Sequence, residues 1–177
     1  MKALISILCG MFLAGCSAVV LNEPFPESEL PDEMRENLEG VWQLEEMAVN
    51  IAFTSNGIPW MAMVDWEGDT FRLLTYRLYF TKQNDSLFFC MPTEPGKTNE
   101  YFFAEFKQNE GRIVVWNPSV DVFGQLVENG TLAGSQEKEK YSTSITLEDK
   151  AVKILELIST NSAAFNYKEP ILLRKLK

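Results

Sequence analysis

The chain has 177 residues, 46% of them hydrophobic and 12% aromatic, with 25 acidic and 16 basic side chains and a formal net charge of −9. That apolar content suffices for a packed core, so disorder is expected only at the ends, and so acidic a surface repels phosphate-rich partners, which leaves no nucleic acid among the expected partners. The sequence contains no histidine, which removes Ser-His-Asp and Cys-His nucleophile activation, histidine-ligated zinc and the usual proton shuttle near neutral pH.

After Met1-Lys2 the chain is apolar from Ala3 to Ala14, interrupted by Ser6 and Gly10. One positive charge, a short apolar stretch and small residues before a break make residues 1–15 a secretory signal peptide. The stretch is shorter than the about 20 apolar residues that a membrane-spanning helix needs. The segment Leu13-Ala14-Gly15-Cys16 resembles the lipobox of bacterial lipoproteins, a resemblance that covers residues 1–17. It implies that the Cys16 thiol is joined to a diacylglycerol, that the peptide is cut just before it, and that the new amino group is acylated. Each buried methylene contributes about 0.8 kcal/mol, so two or three acyl chains make a lasting membrane anchor. Ser17, where Asp would signal inner-membrane retention, resembles the outer-membrane pattern, and the expected location is the cell envelope, on the outer membrane facing the periplasm. The mature chain would have 162 residues with 15 bases against 25 acids, so the anchor holds the membrane without a basic patch.

Residues 16–31 are expected to form a lipidated tether, and residues 32–177 a single globular domain. Prolines 24, 26 and 31 and glutamates 23, 27 and 29 keep such a segment extended and solvated, with an r.m.s. span of roughly 20 Å. A short helix is expected over Asp32 to Leu38, with acids at its positive end and Gly40 at its stop. Gly40-x-Trp42 at the opening of the first strand resembles the lipocalins, in which the tryptophan plugs the closed end of a β-barrel. Strands follow at Trp60 to Trp66, Phe71 to Phe80 and Leu87 to Met91, then a loop over Pro92 to Asn99. Glu100 to Lys107 and Arg112 to Trp116 make a hairpin whose first strand is apolar on both faces and should be covered on both sides. The period then changes. Ser119 caps a helix carrying Val120, Phe123 and Val127, a polar stretch runs from Gly134 to Lys140, and Thr146 with Asp149 resembles a capping box. Leu147, Ala151, Ile154, Leu155 and Ile158 form one stripe of a second helix, and Pro170 to Leu176 is a final strand. The fold class expected is α+β, with a curled antiparallel sheet or partial barrel and helices from the C-terminal half. A lipocalin has eight consecutive strands before its long helix, and the helix near residues 120–129 departs from that order.

With Cys9 in the signal and Cys16 acylated, Cys90 is the one thiol left and no internal disulfide forms. Among Leu87, Phe88, Phe89 and Met91 it reads as a small buried hydrophobe. Phosphate loops, dinucleotide-binding glycines, paired CxxC motifs, calcium-binding EF-hand loops and zinc signatures are absent, so no catalytic residue, metal or cofactor is expected. Asp65-Trp66-Glu67-Gly68-Asp69 crowds acids into a turn but lacks the spacing of a calcium loop. Trp60, Met61, Met63 and Trp66 are the candidate ligand-facing residues, because methionine and tryptophan together make adaptable apolar surfaces. The expected function is a non-enzymatic binding domain for an apolar small molecule such as a fatty acid. The alternative is a protein-interaction or envelope-assembly module without a pocket, and an enzyme ranks last. Replacing the acylated thiol, Cys16→Ser, should abolish membrane attachment, measured by fractionation and acyl labelling.

Overall fold

A computed structural model describes residues 17–67 and 70–176, apart from the side chains of Trp66 and Glu67. The lipobox Leu13-Ala14-Gly15-Cys16 therefore lies outside the described residues, as do Gly68 and Asp69 of the acidic turn. The class is α+β. Twelve strands join in one sheet: β1 (Ala18–Leu21), β2 (Gly40–Leu44), β3 (Met47–Phe53), β4 (Pro59–Glu67), β5 (Thr70–Arg77), β6 (Tyr79–Gln83), β7 (Ser86–Pro92), β8 (Tyr101–Asn109), β9 (Arg112–Trp116), β10 (Gly134–Lys138), β11 (Thr143–Leu147) and β12 (Ile171–Lys175). The helices are α1 (Asp32–Leu38), α2 (Val120–Glu128) and α3 (Ala151–Thr160). Pairing runs in the order β10-β11-β1-β8-β9-β12-β2-β3-β4-β5, with β7 on β8 and β6 on β7.

Alternation along these strands sorts the apolar side chains into two cores. One gathers Trp42, Val49, Ile51, Met61, Met63, Phe106, Ile113 and Leu173. The other gathers Phe25, Phe88, Cys90, Phe103, Ile145 and the inner faces of α2 and α3. Strand β8 feeds both: Tyr101 and Phe103 enter the helix-covered core, while Ala104 and Phe106 enter the first. Both of its faces are covered, as its composition requires.

The segment 17–31 is not a tether. Val19, Val20, Leu21, Phe25 and Leu30 are buried. β1 pairs in parallel with β11 from Ala18↔Ser144 to Leu21↔Leu147, and antiparallel with β8 at Val20↔Phe102. Proline cannot donate to a ladder, but Pro24, Pro26 and Pro31 all follow the strand, so they do not oppose it. After β1 the chain crosses the domain, where Phe25 meets Phe88 and Phe103 edge-on and Ser28 N donates to Phe80 O at 2.8 Å. The globular unit thus includes residues 18–31 and does not start at Asp32.

Helix α1 has the bounds expected of it, and Trp42 is fully buried, its Nε1 donating to Leu38 O at 2.8 Å. Gly40 lies at φ +130°, and a Cβ there would meet Lys175 Cε at 3.0 Å. Lys175 donates to the carbonyls of Glu36 and Asn37 at the end of α1 and lies over the Trp42 ring. The last strand therefore closes the helix carbonyls against the first core.

Four local expectations change. β3 has no counterpart among the expected strands, although Val49 and Ile51 alternate inward like their neighbours. The single strand expected from Phe71 to Phe80 is interrupted at Leu78, whose N donates to Pro59 O at 3.0 Å, and resumes as β6. The polar stretch Gly134–Lys138 is strand β10, which needs Gly134 because a Cβ there would sit 2.4 Å from Thr146 O. Thr146 caps no helix, since it lies inside β11, and Asp149 instead accepts from Ala133 N and Lys153 Nζ, each at 2.7 Å. These bonds hold the Asp149 carboxyl below its usual range.

Five buried apolar side chains of residues 19–30 contribute about 1.5–3 kcal/mol each, against a total stability of about 5–15 kcal/mol for a domain. A chain beginning at Asp32 should accordingly fail to fold cooperatively in a urea titration, whereas one beginning at Ser17 should unfold in a single transition.

Candidate functional site

The candidate ligand-facing residues do not form one surface. In β4 successive side chains point to opposite faces. Met61 and Met63 are buried in the first core, while Trp60 is exposed on the outer face. The Trp66 side chain lies outside the described residues. Period-2 alternation is readable in the sequence and separates Met61 and Met63 from Trp60 and Val64.

In the first core a cavity of about 40 Å³ without polar lining is bordered by Met61, Leu78, Phe89, Phe106 and Ile113. A solvent-open depression of about 430 Å³ lies between the end of β2 and the start of β12. It is bordered by Gln43, Glu45, Pro170, Leu172 and Arg174, not by the tryptophan and methionine residues of β4.

The outer face of the β4–β5 hairpin carries a group of exposed apolar side chains. Val64 pairs with Leu73 across the hairpin, and their exposures are 44% and 64%. Phe71 is exposed as well. These positions were not singled out from the sequence, where Val64 and Leu73 read as ordinary strand residues. Only the overhang of the hairpin beyond the core leaves them in solvent: every residue from Thr70 to Leu73 is exposed, whichever face it occupies.

The buried Glu105 carboxylate has its hydrogen-bond partners within the fold. Glu105 is buried on β8. Its Oε1 accepts from Ser86 Oγ at 3.0 Å and its Oε2 from the Tyr167 hydroxyl at 2.5 Å. Desolvation and then the neighbouring Glu105 carboxylate push the Tyr167 hydroxyl above its ordinary range. The three groups tie β7, β8 and the loop before β12 together, and the Tyr167 ring packs edge-on against Trp116. A carboxylate committed to two donors stabilises the junction of these elements. Of the acids in the expected turn, Asp65 faces Arg72 at 3.5 Å. Among the described residues no three metal-ligating side chains gather, and no helix is long and apolar enough to cross a membrane.

Cys90 is fully buried, as its apolar neighbours imply. Burial pushes its thiol up from 9.0 to about 12, opposed by the bond that Phe25 N donates to Sγ at 3.4 Å.

Scans against protein-family models, curated proteins and solved structures find no match to this chain.

The raised thiol makes a pH prediction with a definite sign. In the unfolded chain Cys90 ionises near 9.0 and in the folded one near 12. Its contribution is therefore fully present below pH 9.0 and is lost as pH rises toward about 12, with a slope of at most about 1.4 kcal/mol per pH unit. Replacing it, Cys90→Ala, should flatten the alkaline fall of stability in urea titrations across that window. The native thiol should react with aromatic disulfide reagents only on unfolding.

Proposed function

We propose that this chain is a non-enzymatic lipoprotein of the cell envelope, anchored through Cys16 to the outer membrane on its periplasmic side, whose domain docks a partner protein. The observation that carries the choice of a protein over an apolar small molecule is the small size of the cavity in the first core. A cavity of about 40 Å³ compares with roughly 300 Å³ for the smallest ordinary ligand sites. Apolar surface that the core does not consume includes the β4–β5 hairpin, where Val64 and Leu73 stand side by side in solvent. Contiguous apolar side chains kept on a projecting arm fit a binding surface. The lack of histidine and the burial of Cys90 support binding without turnover.

The same reading takes the sheet as a curled, barrel-like structure, the feature shared with the lipocalin resemblance at Gly40-x-Trp42. Its support is the way the strands surround one core. β12 bridges β9 and β2. At the other side the chain passes from β5, which pairs β4, through Leu78 into β6, which pairs β7. Side chains from β2 to β9 and from β12 meet in the first core.

Photo-crosslinking in intact cells from position 73, with position 50 on the outer face of β3 as the comparison, should yield a discrete adduct from position 73 alone. Binding of the identified partner to the purified protein should then weaken at least about tenfold in a Val64→Glu, Leu73→Glu variant, a loss of about 1.4 kcal/mol or more, with an unchanged melting temperature. An apolar molecule co-purifying in stoichiometric amount, seen by native mass spectrometry, would instead return the function to ligand carriage.

A further inference from the structure

Two consecutive features of the fold bear on how such an anchor would hold the domain. Only Ser17 separates Cys16 from Ala18, the first residue of β1. Ser17 is itself fastened, because Thr143 N donates to its Oγ at 3.0 Å and Ala18 is in register with Ser144 in the parallel pair of β1 with β11. The residue that follows Cys16 in the sequence is therefore held directly beside the turn that joins β10 to β11.

That turn is closed by Glu139 N donating to Ser142 O at 2.9 Å. It presents Tyr141 at 77% exposure, with Lys140 Nζ 4.8 Å from the ring centroid. An exposed tyrosine with a lysine over its face has an apolar ring, a hydroxyl and a charged head on a flexible stem, the combination that settles at the level of lipid headgroups. The charges of Glu137, Lys138, Glu139 and Lys140 cancel, and Lys138 is already paired with Glu128 at 2.9 Å. Nothing in the turn selects anionic lipid, so its match is a zwitterionic bilayer surface.

We infer that the β10–β11 turn is a membrane-contacting surface: acylation at Cys16 pins β1 to the bilayer without slack, seats Tyr141 and Lys140 among zwitterionic headgroups, and so fixes the orientation of the domain. The inference rests on the lipoprotein reading above.

The test uses the full acylated chain in vesicles of zwitterionic phospholipid. Cysteines introduced by Tyr141→Cys or, for comparison, Asn50→Cys on β3 are labelled with an environment-sensitive fluorophore, Cys90 being buried. The label at position 141 should be blue-shifted and quenched severalfold more by headgroup-level nitroxide lipids than the label at position 50. Inserting about ten Ser and Gly residues after Cys16, beginning with Ser, adds a span of roughly 17 Å. Attachment should survive the insertion while the selective quenching disappears. Equal quenching at both positions, an aqueous label at 141, or quenching that ignores the insertion would overturn the inference. Mass spectrometry of the N-terminal peptide separates the two levels: a chain without acyl groups on Cys16 overturns the lipoprotein reading and this inference together, whereas an acylated chain with an aqueous label at 141 overturns the orientation alone.

Discussion

The structure depends on a strand that is buried on both faces. β8 has side chains too apolar for either face to meet water, so something must cover each. The strands from β2 to β7 with β9 and β12 supply one cover and fill it with Trp42, Met61, Phe106 and Ile113. The segment containing Phe25, together with β11, α2 and α3, supplies the other. Tyr101 and Phe103 on one side and Ala104 and Phe106 on the other make the two cores neighbours through a single backbone. A cavity opened in either core is thus adjacent to the same strand, and packing defects in one are transmitted to the other.

The second cover explains the N-terminal strand. β9 pairs β8 only from Glu105 onward, while β1 takes the same strand at Tyr101 and Phe102. The two divide β8 between them, and β1 carries β11 and β10 into the sheet. Without β1 the helical layer would lose its strand connection to β8. This is why a segment with three prolines is nonetheless structural. It is also why an acyl anchor placed just before it would act on the orientation of the whole domain and not merely on its location.

Polar side chains add cohesion between elements. The buried Glu105 gives both carboxylate oxygens to donors on other elements, and nearer the surface Lys175 donates to the carbonyls that end α1. A buried charge with its bonds made costs little, whereas removing one partner would leave it desolvated and unpaired. On the surface, Val64, Phe71 and Leu73 of the β4–β5 hairpin are apolar side chains left in solvent.

Local chemistry by itself determined a good part of this protein. The bounds of α1 and of β9, the cap that Ser119 makes by accepting from Val122 N at 3.4 Å, the burial of Trp42 and Cys90, and the double coverage of β8 all follow from residues within a few positions of one another. Tertiary structure decided the rest. β1 is a strand because partners more than 80 and 120 residues away, at Phe102 and Ser144, offer it two edges. A short polar run such as Gly134–Lys138 becomes a strand through the ladder it completes with β11, and Thr146 is drawn from a cap into that ladder. The candidate site divided for the same reason. Trp60, Met61 and Met63 are contiguous in sequence, but which of them meets solvent depends on which face of β4 the other strands cover. Hydrogen-bond partners and burial across the sheet are non-local, and no window of sequence contains them.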